Sequence, residues 1–245
     1  MAAALLALAG PACAGDVVYD YAGAFTDGTD LTGVFGTPLR DLAGVAFTAR
    51  FRRGAPPPGA LDRDDGVESF IQGSGPAQPV WASITIDGAT WTFAPGFGMQ
   101  DQQEQRDACG PGCDFEAFQH RVESQVDGFD PTGTLLQHDA SVLDISSFGF
   151  GTNFLADEDY HSLGPLAPGD VPFFMGDLRI EAFVFDTSRL RNIVDSQAFG
   201  HMALSSLTVS LDEGAAPEPG TWALMVGGFS LAGTALRRRQ RLARA

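Results

Sequence analysis

Two cysteines form the one local cluster of reactive side chains that stands out in this chain of 245 residues. Cys109 and Cys113 enclose the turn-forming segment Gly110-Pro111-Gly112, so a disulfide between them would close a short loop. A metal site would need further ligands, and the nearest imidazole, His120, stands alone. A redox-active pair usually has two intervening residues, whereas this pair has three. The spacing favours a structural disulfide, with zinc binding and redox chemistry as the alternatives.

The histidines and carboxylates form no catalytic motif. The four histidines lack paired metal-binding spacing, and no G-x-S-x-G segment indicates a serine hydrolase. Glycoside hydrolysis needs two carboxylates at a set separation, and the sequence cannot select such a pair. The histidines are His120, His138, His161 and His201, and the candidate carboxylates include Glu68, Glu116, Glu123 and Glu181. We therefore expect no catalytic residue and a non-enzymatic protein.

Two acidic clusters are the candidates for cation binding. Residues 62–66 (DRDDG) and 157–159 (DED) could offer loop carboxylates to Ca²⁺. Neither has the spacing of an ordered calcium loop, and solvated acidic loops are the more common role for such runs. The expectation is no metal and no cofactor, with Ca²⁺ as the alternative.

Short apolar segments separated by turn residues predict an all-β domain. Residues 45–52 alternate between apolar and polar, which indicates a half-buried strand. Asp87-Gly88 joins the apolar segments 80–86 and 89–93, and this pattern predicts a tight hairpin. Further strands are expected at 17–25, 142–150, 177–185 and 203–211.

Two other segments predict short helices. Apolar residues fall near helical spacing over 115–126, after Asp114 as a possible N-cap, and 188–195 has the length of one or two turns. Seven or more short strands with few helices favour a β-sandwich of the jelly-roll kind. The 19 phenylalanines are then most simply the filling between two sheets.

The charge of the chain excludes several classes of protein. Its formal charge is −16, yet 44% of its residues are hydrophobic, which is too apolar for a disordered acidic chain. All 15 basic residues are arginine, and five of them lie in the last nine residues. The segment 15–216 carries 10 arginines against 30 acidic residues, so nucleic-acid binding is disfavoured.

Both ends of the chain have the composition of targeting segments. Residues 1–14 end in Ala12-Cys13-Ala14, the small-x-small pattern of a signal-peptide cleavage site, and the missing basic residues predict a start further upstream. The uncharged stretch 221–236 predicts a transmembrane helix. A stop cluster follows it, consisting of Arg237, Arg238, Arg239 and Arg241. The predicted parts are a signal peptide (1–14), an exported domain (15–214) and a tail (215–245).

The tail resembles the PEP-CTERM sorting signal of Gram-negative bacteria in its PEPxxWA variant. The resemblance covers residues 217–245: Pro217-Glu218-Pro219, then Trp222-Ala223, the apolar stretch and the arginine cluster. It implies retention in the inner membrane until an exosortase, a membrane-embedded cysteine protease, processes the motif. The protein would then reach the cell surface or the extracellular matrix.

A strand after the signal peptide is followed by Leu31-Thr32-Gly33 and Phe47-Thr48-Ala49-Arg50-Phe51. In this pattern the exported domain resembles the β-rich cargo found with this tail, and that resemblance names no ligand. We expect a structural or polysaccharide-binding role, with exosortase and exopolysaccharide as partners. The alternatives are a secreted carbohydrate-active hydrolase and a calcium-dependent glycan-binding module.

Overall fold

The computed structural model describes residues 16–105, 108, 110–111, 114–132, 134–150, 174–186 and 191–212. The strands in chain order are β1 (Asp16–Asp30), β2 (Arg40–Asp41), β3 (Ala46–Arg53), β4 (Leu61–Asp64), β5 (Glu68–Ser74), β6 (Val80–Ile86), β7 (Ala89–Thr92), β8 (Phe97–Gln105), β9 (Phe115–Phe129), β10 (Leu135–Phe150), β11 (Phe174–Asp186) and β12 (Arg191–Asp212). One 3₁₀ turn, Gly75–Ala77, precedes β6.

All twelve strands belong to one antiparallel sheet. The order of neighbouring strands is β4-β5-β8-β9-β10-β11-β12-β1-β3-β6-β7. The short strand β2 is not part of this order and pairs with β1. β8 to β12 form a meander, and β12 then pairs along almost the whole of β1. The first and last strands described thus meet in the middle of the sheet, where each has a neighbour on both sides.

The sheet curls into a half-barrel, because strands that are not neighbours in the sheet meet through their side chains. Tyr19 on β1 lies with its ring centroid 6.0 Å from that of Phe118 on β9, although three strands separate β1 from β9 in the sheet. β6 likewise packs near β8 and β9. The concave side holds the apolar core, which includes Phe51, Ile84 and Leu143. Burial of these side chains on one side of the sheet is the main stabilising contribution to the fold.

A glutamine and a glycine fix the corner where the curl begins. The Gln78 side chain is buried; its Nε2 donates to the Val80 carbonyl oxygen at 2.6 Å, and its Oε1 accepts from the Gly96 amide at 2.8 Å. At Gly98 a Cβ atom would lie 2.1 Å from the same Val80 oxygen. The start of β6 and the start of β8 therefore approach closely enough to require glycine.

The hairpin expectation is confirmed. Asp87 and Gly88 have φ values of 50° and 83°, the left-handed conformation that a two-residue turn between β6 and β7 demands. The expected strands are also present, within β1, β3, β6, β7, β10, β11 and β12.

The fold-class prediction is wrong in its details, although the domain is all-β. The strands form one curled sheet instead of the two packed sheets of a sandwich. The predicted helix 115–126 is part of β9, and residues 191–195 of the second predicted helix belong to β12, while 188–190 lie outside the described residues. The described residues contain no α-helix, and the 3₁₀ turn is their one helical element.

The physical reason for the wrong helix is the polarity of the buried side of β9. The residues buried at every second position there are Glu116, Phe118, His120, Val122 and Ser124. Three of these five are polar, so apolar residues do not occupy every second position as they do in a typical half-buried strand. Phe118 and Val122, four residues apart, are the two apolar residues of this buried side. That spacing is shared by the face of a helix and by one face of a strand.

No helix of the described residues is long and apolar enough to cross a membrane. The predicted transmembrane segment 221–236 lies outside those residues.

Candidate functional site

A cleft opens on the concave side of the sheet, between edge strand β7 and the wall formed by β9 to β12. Its volume is about 310 Å³, at the low end of the range for small-ligand sites. We call it the Trp91 cleft. The side chains that give it chemical character are Trp91, Ser124, Ser141, Asp139 and Asp195.

Trp91 supplies the aromatic wall. It lies opposite Ile84 in the β6–β7 pairing and packs against the core cluster. Its indole Nε1 is buried and has no hydrogen-bond partner in the described part of the chain. A buried indole N–H usually has a partner, so this donor is an unsatisfied polar group in a residue that lines the cleft.

Two serine hydroxyls face each other on the floor. Ser124 on β9 and Ser141 on β10 are directly opposite in the strand register, and their exposed fractions are 5% and 6%. No hydrogen bond of either side chain is found among the described residues, although both residues line the cleft. Each hydroxyl offers one donor and two acceptor sites. The floor therefore presents unused hydrogen-bonding capacity at a position where strand alternation would otherwise place apolar residues.

Carboxylates surround this floor. Asp139 lies opposite Val126 on β9 and Ala182 on β11. Asp195 occupies a β-bulge on β12, because Ala182 pairs with Ser196 and the next residue, Phe183, pairs with Val194. A bulge redirects the side chain of its extra residue, and bulges are frequent beside binding sites.

A second groove lies on the convex side, along β11 and β12. Its volume is about 420 Å³, and Phe199 is 45% exposed there. Its polar groups are already paired with one another. Arg179 Nη2 lies 2.7 Å from Glu181 Oε2, and His201 Nδ1 lies 2.7 Å from Asp27 Oδ1. The hydrogen bond and charge of Asp27 raise the pKa of His201. We therefore regard the Trp91 cleft as the better candidate site.

His120 is a core residue instead of a ligand or catalytic group. It is fully buried, its Nδ1 lies 2.8 Å from the Tyr21 hydroxyl, and its ring stacks on Phe51 at a centroid distance of 4.9 Å. Burial, and then the positive charge of Arg53, lower the pKa of His120 well below its usual value. His120 is therefore neutral at pH 7 and enclosed in the core.

The remaining candidate residues from the sequence are dispersed. His138 Nδ1 lies 2.7 Å from Asp127 Oδ1, and His138 is not among the residues that line the cleft. Of the four glutamates considered for glycoside hydrolysis, Glu181 pairs with Arg179 on the convex side, Glu116 is buried, Glu68 accepts from Gln103, and Glu123 pairs with Arg121. The sequence did not indicate Trp91, Ser124, Ser141, Asp139 or Asp195. The signal that could have found the serines is polarity at core-facing strand positions.

The acidic segment 62–66 has a structural role. Asp65 Oδ1 accepts the backbone amides of Glu68 and Val67 at 2.9 and 3.1 Å, and its other oxygen pairs with Arg63. The backbone hydrogen bond from Glu68, followed by that from Val67, lowers the pKa of Asp65. Within the described residues no group of three or more His, Cys, Asp or Glu side chains is arranged to hold a metal ion.

Several predicted site residues lie outside the described residues. These are Cys109 and Cys113 of the expected disulfide, His161, the acidic segment 157–159, and the whole sorting tail including Pro217, Glu218, Pro219, Trp222 and Ala223. Comparison with known proteins adds no relative, since no family model, curated protein or solved structure matches this chain.

Proposed function

We propose that this protein is an exported, non-enzymatic polysaccharide-binding protein of the cell surface or extracellular matrix. The observation that carries the binding role is the Trp91 cleft, where the buried indole N–H of Trp91 and the hydroxyls of Ser124 and Ser141 have no protein partner among the described residues. The two hydroxyls can bond to water or to a ligand in the cleft, and a ligand rich in hydroxyls would match both their donors and their acceptors.

The chemistry of the cleft fits a sugar ring. A pyranose has an apolar C–H face and a rim of hydroxyls that both donate and accept. Trp91 offers an apolar surface to the first, while Ser124 and Ser141 offer donors and acceptors to the second. The open side of the cleft would admit one short stretch of a longer polymer.

The sequence of the tail supports the proposed location. Export and retention at the inner membrane would precede recognition of Pro217-Glu218-Pro219 by an exosortase. Processing would release the domain towards the surface, where exopolysaccharide is the available polymer. The acidic composition of 15–216 is compatible with an exported protein that must stay soluble.

Binding is tested with the full-length protein by isothermal titration against neutral, amino-sugar and uronic-acid oligosaccharides. Trp91→Ala should weaken binding of the best ligand more than tenfold, as expected for a central aromatic contact. Ser141→Ala should weaken it about three- to tenfold, as expected for one hydrogen bond. The matched control is Ser147→Ala, because Ser147 is a buried serine on the same strand and side of the sheet but does not line the cleft.

Two results would contradict the binding role. One is the absence of binding to every oligosaccharide, and the other is equal binding by the Trp91 variant and the unchanged protein. Release of new reducing ends from any of these sugars would favour the hydrolase alternative, and the cleft carboxylates would then be substituted in turn.

The sorting step is tested by intact-mass measurement and cell fractionation in the native host. The unchanged protein should appear outside the inner membrane without its tail. Replacement of Pro217, Glu218 and Pro219 by alanine should leave a full-length species in the inner membrane. A full-length species in the inner membrane for both proteins would mean that the tail is a permanent anchor.

A further inference from the structure

The Trp91 cleft carries negative charge that the described residues do not neutralise. Its ionisable side chains are two carboxylates, Asp139 and Asp195. The Glu181 side chain points to the convex side, where it pairs with Arg179 at 2.7 Å. Asp139 Oδ2 accepts from the neutral Gln137 amide at 2.6 Å, and Asp195 Oδ2 accepts from the Ser196 hydroxyl at 3.3 Å.

Neither Asp139 nor Asp195 has an ion pair within the described part of the chain. The protein also contains no lysine, and its few arginines in the domain are outnumbered threefold by acidic residues. A hydrogen bond from a neutral donor satisfies an oxygen atom but leaves the charge in place. These two carboxylates therefore offer the strongest interaction to a ligand that carries positive charge.

The positions of the two carboxylates favour a polymer over a single ion. Asp139 is on β10 and Asp195 on β12, with β11 between them. Two strand spacings amount to about 9–10 Å between the backbones, and among the described residues no third His, Cys, Asp or Glu side chain joins these two carboxylates in a group that could hold a metal ion. Two charges so separated suit cationic groups on different residues of one chain.

The floor of the cleft indicates what carries those cationic groups. Ser124 and Ser141 are more than nine-tenths buried and have unused hydroxyls, and Trp91 adds an aromatic surface with an unused N–H. We infer that the Trp91 cleft binds amino-sugar residues with free ammonium groups, so that the polysaccharide it recognises is a de-N-acetylated one. This inference rests on the proposed function, because it names the class of sugar that the same cleft takes.

The same charges discriminate against other glycans. A uronic acid, sulfated or phosphorylated sugar would bring a negative charge towards Asp139 and Asp195, and like charges that close together are repelled. A neutral or N-acetylated sugar would keep the contacts with Trp91 and the serines but would leave both carboxylates without a cation.

The test compares matched hexamers with the full-length protein at about pH 6, where an amine of ordinary pKa near 7.7 is protonated. The probes are a β-1,4-linked glucosamine hexamer, its fully N-acetylated counterpart, a β-1,4-linked glucose hexamer and a galacturonate hexamer. We expect the glucosamine hexamer to bind at least about tenfold more tightly than the acetylated one at low salt, and the advantage to shrink as salt is added.

Variants assign the preference to the cleft. Asp139→Asn and Asp195→Asn keep the shape of the side chain, and each should lower the affinity for the glucosamine hexamer about three- to tenfold while leaving that for the acetylated hexamer unchanged. Asp177→Asn is the matched control, because Asp177 is an aspartate of the same sheet that lines the convex groove and not the cleft. It should change neither affinity.

The outcomes separate this inference from the proposed function. Equal affinity for the glucosamine and acetylated hexamers would overturn the ammonium preference and leave the polysaccharide role intact. A tetralysine peptide that binds as tightly as the glucosamine hexamer would also overturn it, since the cleft would then recognise charge alone. Binding to none of the four hexamers would contradict the proposed function itself.

Discussion

Lowering the pH from about 6.5 to about 5 should destabilise the protein through a single buried side chain, His120. Burial lowers its pKa well below the ordinary value of 6.5, so the native state keeps the ring neutral while the unfolded chain becomes protonated. When the unfolded state binds more protons, the free energy of unfolding falls as the pH falls. One such group contributes about 1.4 kcal/mol per pH unit once the pH is below 6.5, which integrates to about 1.6 kcal/mol over this range.

The assay is urea unfolding of the full-length protein, followed by tryptophan fluorescence at several pH values. His120→Gln, which removes the titration, should be less stable at pH 7 but should show a slope shallower by about 1.4 kcal/mol per pH unit. His120→Leu is a second variant that fills the core without a titrating group. The quantity compared is the difference between the proteins in the slope of unfolding free energy against pH. The carboxylates are the same in all three proteins, so their contribution to that slope cancels.

Among the described residues, His201 also has a shifted pKa, and it does not affect stability in this pH range. The pKa of His201 is raised, first by its hydrogen bond to Asp27, so its stabilising contribution is complete below 6.5 and is lost as the pH rises above that value. Parallel loss of stability by the unchanged protein and both variants between pH 6.5 and 5 would refute the reasoning, because it would mean that His120 is not held neutral by burial.

Three further predictions concern other parts of the chain. Gly98→Ala should lower the unfolding free energy by about 2 kcal/mol or more, because the added Cβ would lie 2.1 Å from the Val80 carbonyl oxygen. An unchanged urea midpoint would contradict the close approach of β6 and β8. Asp30→Ala should lower the unfolding free energy by about 3 kcal/mol, because the buried carboxylate accepts hydrogen bonds from three backbone amides at 2.7–2.8 Å. These bonds hold the loop that inserts Phe35 into the core. A loss below about 1 kcal/mol would exclude that role. Cys109 and Cys113 should react with a thiol reagent only after reduction, as mass spectrometry of the exported protein would show, and labelling before reduction would exclude the disulfide.

Local strand signals could be read from the sequence where one side of the strand is apolar and the other polar. β3 is the clearest case, because three of its four buried positions, 47, 49 and 51, are apolar and alternate with exposed ones. The β6–β7 hairpin was equally clear, since the Asp87-Gly88 turn requires the positive φ values that it has. β9 failed because polar residues occupy three of its five buried positions.

The curl of the sheet could not be predicted, because no local pattern encodes it. It depends on contacts between residues far apart in the chain, such as Tyr21 with His120, and on the corner at Gln78 and Gly98. A jelly-roll sandwich and a curled single sheet have the same strand count and the same alternation, so composition and periodicity favoured the wrong one.

The candidate site could not be predicted from the sequence for two reasons already seen in the fold: contacts between residues far apart in the chain, and polar residues at core-facing positions. Trp91, Ser124, Ser141 and Asp195 belong to four strands and meet only because the edge strand β7 is brought across the concave wall. The sequence feature that obscured β9, a polar residue where the core expects an apolar one, is also the feature that makes Ser124 part of a cleft. Ser124 is 5% exposed and its hydroxyl has no protein partner among the described residues, so water or a ligand in the cleft has to supply one. The polar residue that led to the wrong helix prediction for β9 is therefore also one on which the proposed binding role rests.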